Sequence, residues 1–210
     1  MLNRKPATSV DNDGINHGIM AGTVNGSVDN SSNFIVMLPE RQKKLPSIIP
    51  KIIEVLSEIT VLSDEELDQR YKVSEEDLRP FNIPDKITHN NLIKYRGVII
   101  EYSYYGRICE EAFNITDNHV MGSKSKILKD IKHLYNEYKG QLLVEHQEDE
   151  LDDLEIIRRN ADYIIDMVKG DLKQRILADD NTAIVYEDIE DGLIRVLCYA
   201  FVECKILEKP

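Results

Sequence analysis

The chain has 210 residues, of which 42% are hydrophobic and 30% are charged, a balance typical of a folded globular protein rather than a disordered one. Its 38 acidic and 26 basic side chains give a net charge of −12, which disfavours direct binding to nucleic acid because like charges repel. Its apolar runs are far shorter than the about 20 residues of a membrane span, and its 3 cysteines follow no secretory leader, so we expect a cytoplasmic protein.

Residues 1–33 are rich in Gly, Asn, Ser and Asp, and glycine recurs at every fourth position in GINHGIMAGTVNGSVD, residues 14–29. The polar residues around these glycines exclude a membrane dimer motif, and the stretch lacks the Gly-Lys-Ser/Thr of a phosphate-binding loop. We predict a flexible Gly/Asn-rich tether, with strand addition or self-stacking as an amyloid-like tail as the alternatives. FIVMLP, residues 34–39, predicts a short strand or extended docking segment within a linker at 34–44.

From residue 45 onward, apolar residues recur at helical intervals, so we predict an all-α domain over 45–210 with about five to six helices. LPSIIPKIIEVLSEI, residues 45–59, predicts the first helix, with Ser47 as its cap and Pro50 in its first turn. Ser63 with Glu66 forms a capping-box pattern, which predicts a short acidic helix over about 64–71.

The middle of the chain predicts two further helices. The first runs from about residue 84 to residue 113 despite Gly97 and Gly106, which each lower helix propensity by about 1 kcal/mol. The second is a basic amphipathic helix over 124–139, with its lysines in water, that Gly140 ends or loosens.

The acidic run EHQEDELDDLE, residues 145–155, is predicted to begin the next helix, because carboxylates suit a helix N-terminus, and that helix continues to about residue 177. The last predicted helix covers residues 187–209 and carries an apolar face wide enough to be buried.

The chemistry-bearing residue types form no catalytic pattern in this sequence. The cysteines lie in apolar helical contexts, G-x-S-x-G is absent, and the histidines are scattered without zinc-ligand spacing. We therefore predict neither catalytic residues nor a metal or cofactor. The alternative is a small metal-dependent hydrolase or nuclease that uses the carboxylates at 149–155.

Three regions supply candidate contacts with a protein partner. A tyrosine near a surface seeks a partner for its hydroxyl, a basic stripe suits an acidic partner, and a wide apolar face is either internal or shared between copies. Core packing and a solvated helix face are the alternatives. The candidates are the tyrosines of YSYYG, two lysines of the basic helix and two apolar residues near the C-terminus: Tyr102, Tyr104, Tyr105, Lys129, Lys132, Phe201 and Leu207.

Four segments carry a resemblance: LPSIIPKIIEVLSEI at 45–59, NLIKYRGVIIEYSYYG at 91–106, ILKDIKHLYNEYKG at 127–140 and AFVECKILEKP at 200–210. Together they resemble the C-terminal domain of effector proteins in bacterial ABC-three-component defence systems, the group that includes Lamassu-like antiphage systems. The resemblance covers roughly residues 45–210, and the ending AFVECKILEKP is its most specific element.

In that family the domain follows a nuclease, protease or other hydrolase and couples it to an SMC-like ATPase and a small middle component. The resemblance therefore implies a helical adaptor. Only residues 1–44 precede the domain, too few for a hydrolase, so the effector would be encoded separately or missing. We expect a non-enzymatic, self-associating assembly domain in an antiphage or anti-plasmid complex, with no direct contact to nucleic acid or membrane.

Overall fold

The computed structural model describes residues 47–73, 83–179 and 183–210, all within a unit that spans Lys44–Pro210. The described residues form helices and no strand, which confirms the all-α prediction. The eight helices in this part of the chain are α1 (Ile49–Thr60), α2 (Asp64–Tyr71), α3 (Ile83–His89), α4 (Arg96–Ser103), α5 (Gly106–Asp117), α6 (Ser123–Glu145), α7 (Asp153–Leu177) and α8 (Tyr186–Val202). The tether predicted at 1–33 and the strand and linker predicted at 34–44 lie outside the described residues.

The first two helices follow the local signals in the sequence. α1 has Pro50 at its start, where a missing N–H costs nothing. Its N-cap is Ile48, which makes no side-chain capping bond, so the prediction of Ser47 as the cap is wrong by one residue, although the Ser47 hydroxyl accepts a hydrogen bond from the Ile49 amide at 3.3 Å. α2 has the predicted capping box, in which the Ser63 hydroxyl accepts from the Glu66 amide and Glu66 Oε2 accepts from the Ser63 amide at 3.0 Å. Local hydrogen bonding therefore fixes both helix starts.

The long helix predicted over 84–113 is wrong, because α3, α4 and α5 occupy that stretch and raise the helix count in the described part of the chain to eight. The first break contains Asn91 at φ 53°, a left-handed conformation that asparagine tolerates. The amides of residues 93–95 then donate to the Asp162 carboxylate at 2.9–3.2 Å. The second break lies at Tyr105, whose φ of −111° and ψ of 20° are not helical.

α6 and α7 form an antiparallel pair. Two polar contacts join them, from Arg175 Nη1 to Asp130 Oδ2 at 2.5 Å and from the Tyr138 hydroxyl to Asp171 Oδ2 at 2.6 Å. α6 continues through Gly140 to Glu145, so of the two predicted effects of this glycine the helix end is excluded.

The acidic run at 145–155 begins within the last turn of α6 and spans the connection to α7. α7 starts at Asp153, and the Asp152 carboxylate accepts from the Glu155 amide at 2.8 Å, the capping geometry expected of an acidic helix start. The prediction that acidic residues begin this helix is therefore confirmed for residues 152–155, the last part of the run.

α8 lies at the centre of the packing and contacts α1, α4, α5 and α7. Its approach to α1 requires Gly192, because a Cβ at that position would lie 2.8 Å from Ile53 Cδ1. α8 ends at Val202, so the predicted extension to residue 209 is wrong. None of the described helices is apolar over the length needed to cross a bilayer.

Candidate partner-binding surface

The predicted tyrosines lie at the corner between α4 and α5, and their hydroxyls are largely engaged within the chain. The Tyr102 hydroxyl donates to Asp191 Oδ1 at 2.8 Å, and Arg195 Nε donates to Asp191 Oδ2 at 2.6 Å. The Arg195 guanidinium lies 4.6 Å from the centre of the Tyr102 ring. Burial and the Asp191 hydrogen bond both raise the pKa of Tyr102, so this phenol stays protonated and fixes α4 to α8.

The other two tyrosines fix the corner to α2. The Tyr105 hydroxyl donates to the Asp68 carboxylate, and the Tyr104 carbonyl accepts from the Val73 amide at 3.0 Å. Both side chains are half-buried. The hydroxyls of Tyr102 and Tyr105 are therefore engaged within the chain, where they fix the corner to α8 and α2.

A pocket of about 230 Å³ opens beside this corner, between α5 and the C-terminal end of α8. Val73, Ile83 and Val202 contribute its apolar wall. Its polar lining includes Arg107, Tyr199 and Glu203. Arg107 is exposed and makes no ion pair with any described residue. An apolar wall beside an exposed guanidinium is the combination that seats one anchoring side chain of a partner.

The two predicted lysines lie on the outer face of α6. Lys129 and Lys132 are both exposed, and neither makes an ion pair with a residue in the described ranges. The inward face of the same helix holds the predicted apolar residues, including Ile131, which is fully buried. The amphipathic pattern therefore placed these lysines correctly, and their ammonium groups remain available to an outside partner.

Phe201 and Leu207 do not lie at the surface. Their exposed fractions are 1% and 4%, and both belong to the hydrophobic core. This corrects the expectation that they contact a partner: other elements of the same chain cover the wide apolar face of α8. The Phe201 ring lies 4.0 Å from Lys86 Nζ, which places it beneath a buried cation.

That cation belongs to the C-terminal clamp, the name used here for Lys86, Asn90 and residues 203–208. Lys86 is 2% exposed, and its ammonium donates to the Phe201 carbonyl at 2.6 Å and the Ile206 carbonyl at 2.9 Å. It thus caps the C-terminal end of α8, where the helix dipole favours a positive charge. Burial lowers the pKa of Lys86 to about 8.

Asn90 completes the clamp. Its side-chain amide donates to the Glu208 carbonyl at 2.8 Å, and its side-chain oxygen accepts from the Glu208 amide at 2.9 Å. Glu208 Oε1 in turn accepts from the Tyr135 hydroxyl and from Lys139 Nζ, each at 2.5 Å. The segment after α8 is therefore tied to α3 and α6 by its backbone and by its side chain.

A polar stripe on α7, formed by Arg158, Asp162 and Asp166, holds the turn between α3 and α4. Arg158 Nε donates to the His89 carbonyl at 2.6 Å, and Asp166 accepts from the Tyr95 hydroxyl at 2.6 Å. Sequence reasoning missed this stripe. In the sequence, the three residues appear only as polar positions four apart within a strongly apolar helix. The same spacing is typical of a helix face in water, so it does not indicate a contact with another element.

The cysteines and the acidic run at 145–155 are the groups that nucleophilic or metal chemistry would use, and the described structure gives them no arrangement suited to that chemistry. Burial raises the pKa of the Cys109 thiol to about 12, and burial likewise raises that of Cys198, which disfavours a reactive thiolate. In the acidic run, Asp149 Oδ2 lies 2.6 Å from His146 Nδ1. Among the described residues, no three His, Cys, Asp or Glu side chains converge in a way that could hold a metal ion.

Comparison with protein-family models, with curated proteins and with solved structures finds no match to this chain.

Proposed function

We propose that the helical domain is a non-enzymatic adaptor of a bacterial antiphage or anti-plasmid defence complex. It acts in the cytoplasm and couples an effector to an SMC-like ATPase and a small middle component through protein contacts. The resemblance of the four segments within 45–210 supports this choice of partners. The all-α architecture supports the choice of mechanism, because rigid helical faces are common surfaces for protein recognition.

The observation that carries the proposal is the pocket beside Arg107. Its volume of about 230 Å³ lies below the roughly 300–1,000 Å³ of small-molecule sites, so it suits a single anchoring side chain better than a whole metabolite. Arg107 is exposed at the rim and offers a guanidinium fork to a partner carboxylate. Apolar anchors surrounded by charged groups are typical of the energetic centre of a protein interface.

The rigidity of the pocket supports the same proposal. Hydrogen bonds from Tyr102 to Asp191 and from Tyr105 to Asp68 join α4, α8 and α2 around it. A corner held in this way loses little conformational entropy when a partner binds.

Co-purification of the full chain with the SMC-like ATPase and middle component encoded beside it tests the proposal. We expect a stable complex that Arg107→Glu weakens at least about tenfold. Arg96→Glu is the matched control, because Arg96 also lies in the first turn of a short helix, is exposed and makes no ion pair with a described residue. It should bind like the wild-type chain.

Three results would contradict the proposal. One is a chain that binds neither partner, and another is equal loss of binding in both arginine variants. The third is hydrolysis of a nucleic acid or peptide by the purified chain in the presence of Mg²⁺, abolished by changing a carboxylate within 149–155, which would establish the hydrolase alternative instead.

A further inference from the structure

A small pocket lies between α6 and α7, close to the C-terminal end of α6. Its volume of about 30 Å³ has room for a single ammonium group and is far below the roughly 300–1,000 Å³ of small-molecule sites. Its lining consists of Tyr138, Gln141, Leu142, Glu145, Tyr163, Ile164 and Met167. Leu142 and Ile164 are buried, whereas Gln141, Glu145 and Tyr163 are exposed. The pocket therefore combines buried apolar side chains with an exposed rim of aromatic and polar ones.

Tyrosines elsewhere in the described part of the chain combine with a carboxylate and a cation. The Tyr95 hydroxyl donates to Asp166 at 2.6 Å, and Lys94, which pairs with the same carboxylate, has its Nζ 5.0 Å from the centre of the Tyr95 ring. The face of an aromatic ring attracts a cation, and a nearby carboxylate adds to the attraction. A lysine or arginine also lies within 6.0 Å of the ring centres of Tyr71, Tyr102, Tyr105, Tyr186 and Tyr199.

The two tyrosines that line the pocket lack such a cation. In the described ranges, no lysine or arginine lies over the ring of Tyr138 or of Tyr163. Tyr163 is 52% exposed, and its hydroxyl makes no hydrogen bond with a described residue. Glu145, at the same pocket, makes no ion pair within the part of the chain that the structure describes. The pocket therefore has the rings and the carboxylate of the arrangement at Tyr95 but not its cation.

The charge around the pocket favours a cation from outside the chain. Residues 141–157 contain seven carboxylates and no lysine or arginine, so the field at this end of α6 is strongly negative. Val144 is 65% exposed and lies three residues from Gln141 on the same helix, which makes the two side chains neighbours on the helix surface. An apolar side chain that accompanies the cation can therefore contact Val144.

We propose that this pocket binds a lysine side chain from a basic segment of a partner protein. The ammonium lies against the rings of Tyr138 and Tyr163 and donates to the Glu145 carboxylate, which supplies the cation missing from the arrangement. The small volume selects lysine over arginine, whose planar guanidinium is larger. An apolar residue beside the lysine contacts Val144, which a free polyamine cannot reproduce because it has no side chains.

This surface is separate from the pocket beside Arg107. Arg107 offers a cation to a partner carboxylate, whereas the pocket between α6 and α7 offers a carboxylate to a partner cation. The proposal requires none of the partners named in the proposed function. Failure of either proposal therefore leaves the other intact.

Selection from a phage-displayed library of random peptides tests the proposal. Peptides that bind the variant with both Tyr163→Leu and Glu145→Gln are removed first, and the remainder are selected on the wild-type full chain. We expect the enriched peptides to carry a lysine beside an apolar residue and to bind wild type at least about tenfold more tightly than the double variant. Their affinity should fall as salt is added, and replacing the lysine by norleucine should abolish binding.

Three single variants separate the contributions to binding. Tyr163→Phe keeps the ring and should bind the peptides like wild type, whereas Tyr163→Leu keeps an apolar side chain without an aromatic face and should weaken binding at least about threefold. Glu101→Gln is the charge control, because Glu101 is exposed on α4 and makes no ion pair with a described residue. It should leave binding unchanged.

Four results would overturn the proposal. The first is a selection that enriches no peptide, and the second is enrichment of peptides that carry arginine or no cation. The third is equal binding by Tyr163→Leu and Tyr163→Phe. The fourth is spermidine that binds wild type as tightly as the selected peptides and loses affinity in the double variant, which would assign the pocket to a free polyamine.

Discussion

The C-terminal clamp and the outer face of α6 both display lysines, but they use them in opposite ways. In the clamp, Lys86 is 2% exposed and its ammonium binds two backbone carbonyls. On α6, Lys129 and Lys132 are exposed and make no ion pair with any residue that the structure describes. A charge that the chain itself satisfies serves the fold, whereas a charge left in water is available to a partner.

The same comparison shows what the ending AFVECKILEKP does in the fold. AFVECKILEKP contains the end of α8 and the segment of the clamp, in which Cys204 and Leu207 adopt φ of 54° and 62°. Lys86 of α3 and Asn90, the residue after that helix, hold this backbone. The distinctive ending is therefore a packing element, and its partners lie inside the same chain.

The largest effect is expected for Asn90→Ala, which breaks the clamp. The change leaves the partly buried Glu208 amide and carbonyl without their side-chain partners and empties the fully buried Asn90 site, so we expect a loss of about 2–3 kcal/mol in the free energy of unfolding. Urea unfolding measures this loss. Asn118→Ala, at an exposed asparagine, should change the same quantity by less than about 0.5 kcal/mol. Equal effects at both positions would show that the clamp does not stabilise the fold.

Lys86 gives the clamp a pH dependence. Its pKa falls from 10.5 to about 8 on folding, so the folded state binds fewer protons than the unfolded state between those values. Stability contributed by this group must therefore rise with pH, by about 2 kcal/mol between pH 7 and pH 10. The free energy of unfolding of wild type, measured relative to that of Lys86→Met at each pH, should therefore increase from pH 7 to pH 10. Parallel profiles would show that the ammonium is not buried.

An ionic cluster between α7 and α8 is less buried than the clamp and less exposed than the lysines of α6. Glu190 on α8 accepts from Lys169 and Lys173 on α7, each at 2.5 Å, and these hydrogen bonds lower its pKa from 4.5 to about 2. The pair therefore stabilises the fold above pH 4.5 and loses this contribution as the pH falls towards 2.

Glu190→Gln should cost about 1 kcal/mol at neutral pH, because solvent screens a side chain that is 32% exposed. Its profile should converge with that of wild type in acid, as measured by urea unfolding at a series of pH values. Glu187→Gln, an exposed change in the first turn of the same helix, should cost less than about 0.5 kcal/mol, the small helix-dipole contribution of an exposed carboxylate. A cost for Glu190→Gln that is the same in acid would point to lost packing instead of charge.

Helices whose signals are local were predictable. The capping box at Ser63 and the proline in the first turn of α1 act within one turn of the chain. The breaks within 84–113 were not predictable, because Asp162 of α7 determines where α4 begins and the apolar pattern continues across the turn through Leu92 and Tyr95. Likewise, Lys86 binds the carbonyls at the end of α8 from far along the sequence.

The predicted partner-binding residues also fall into those that local spacing could place and those that depend on distant parts of the chain. Amphipathic spacing was sufficient to place Lys129 and Lys132 in water, because the buried face of a helix implies the exposed one. It could not show what covers an apolar face. Phe201 was predicted at an interface between chains, but elements of its own chain bury it. The pocket beside Arg107 had no signal, since it arises where α5 meets the end of α8.

The smallest effect on the isolated domain is expected on α6, and it completes the comparison with the clamp. Lys129→Ala with Lys132→Ala removes no contact with a described residue, so the free energy of unfolding at about 1 µM protein should change by less than about 0.5 kcal/mol. A large loss of stability in this variant would mean that these lysines, like Lys86, serve the fold.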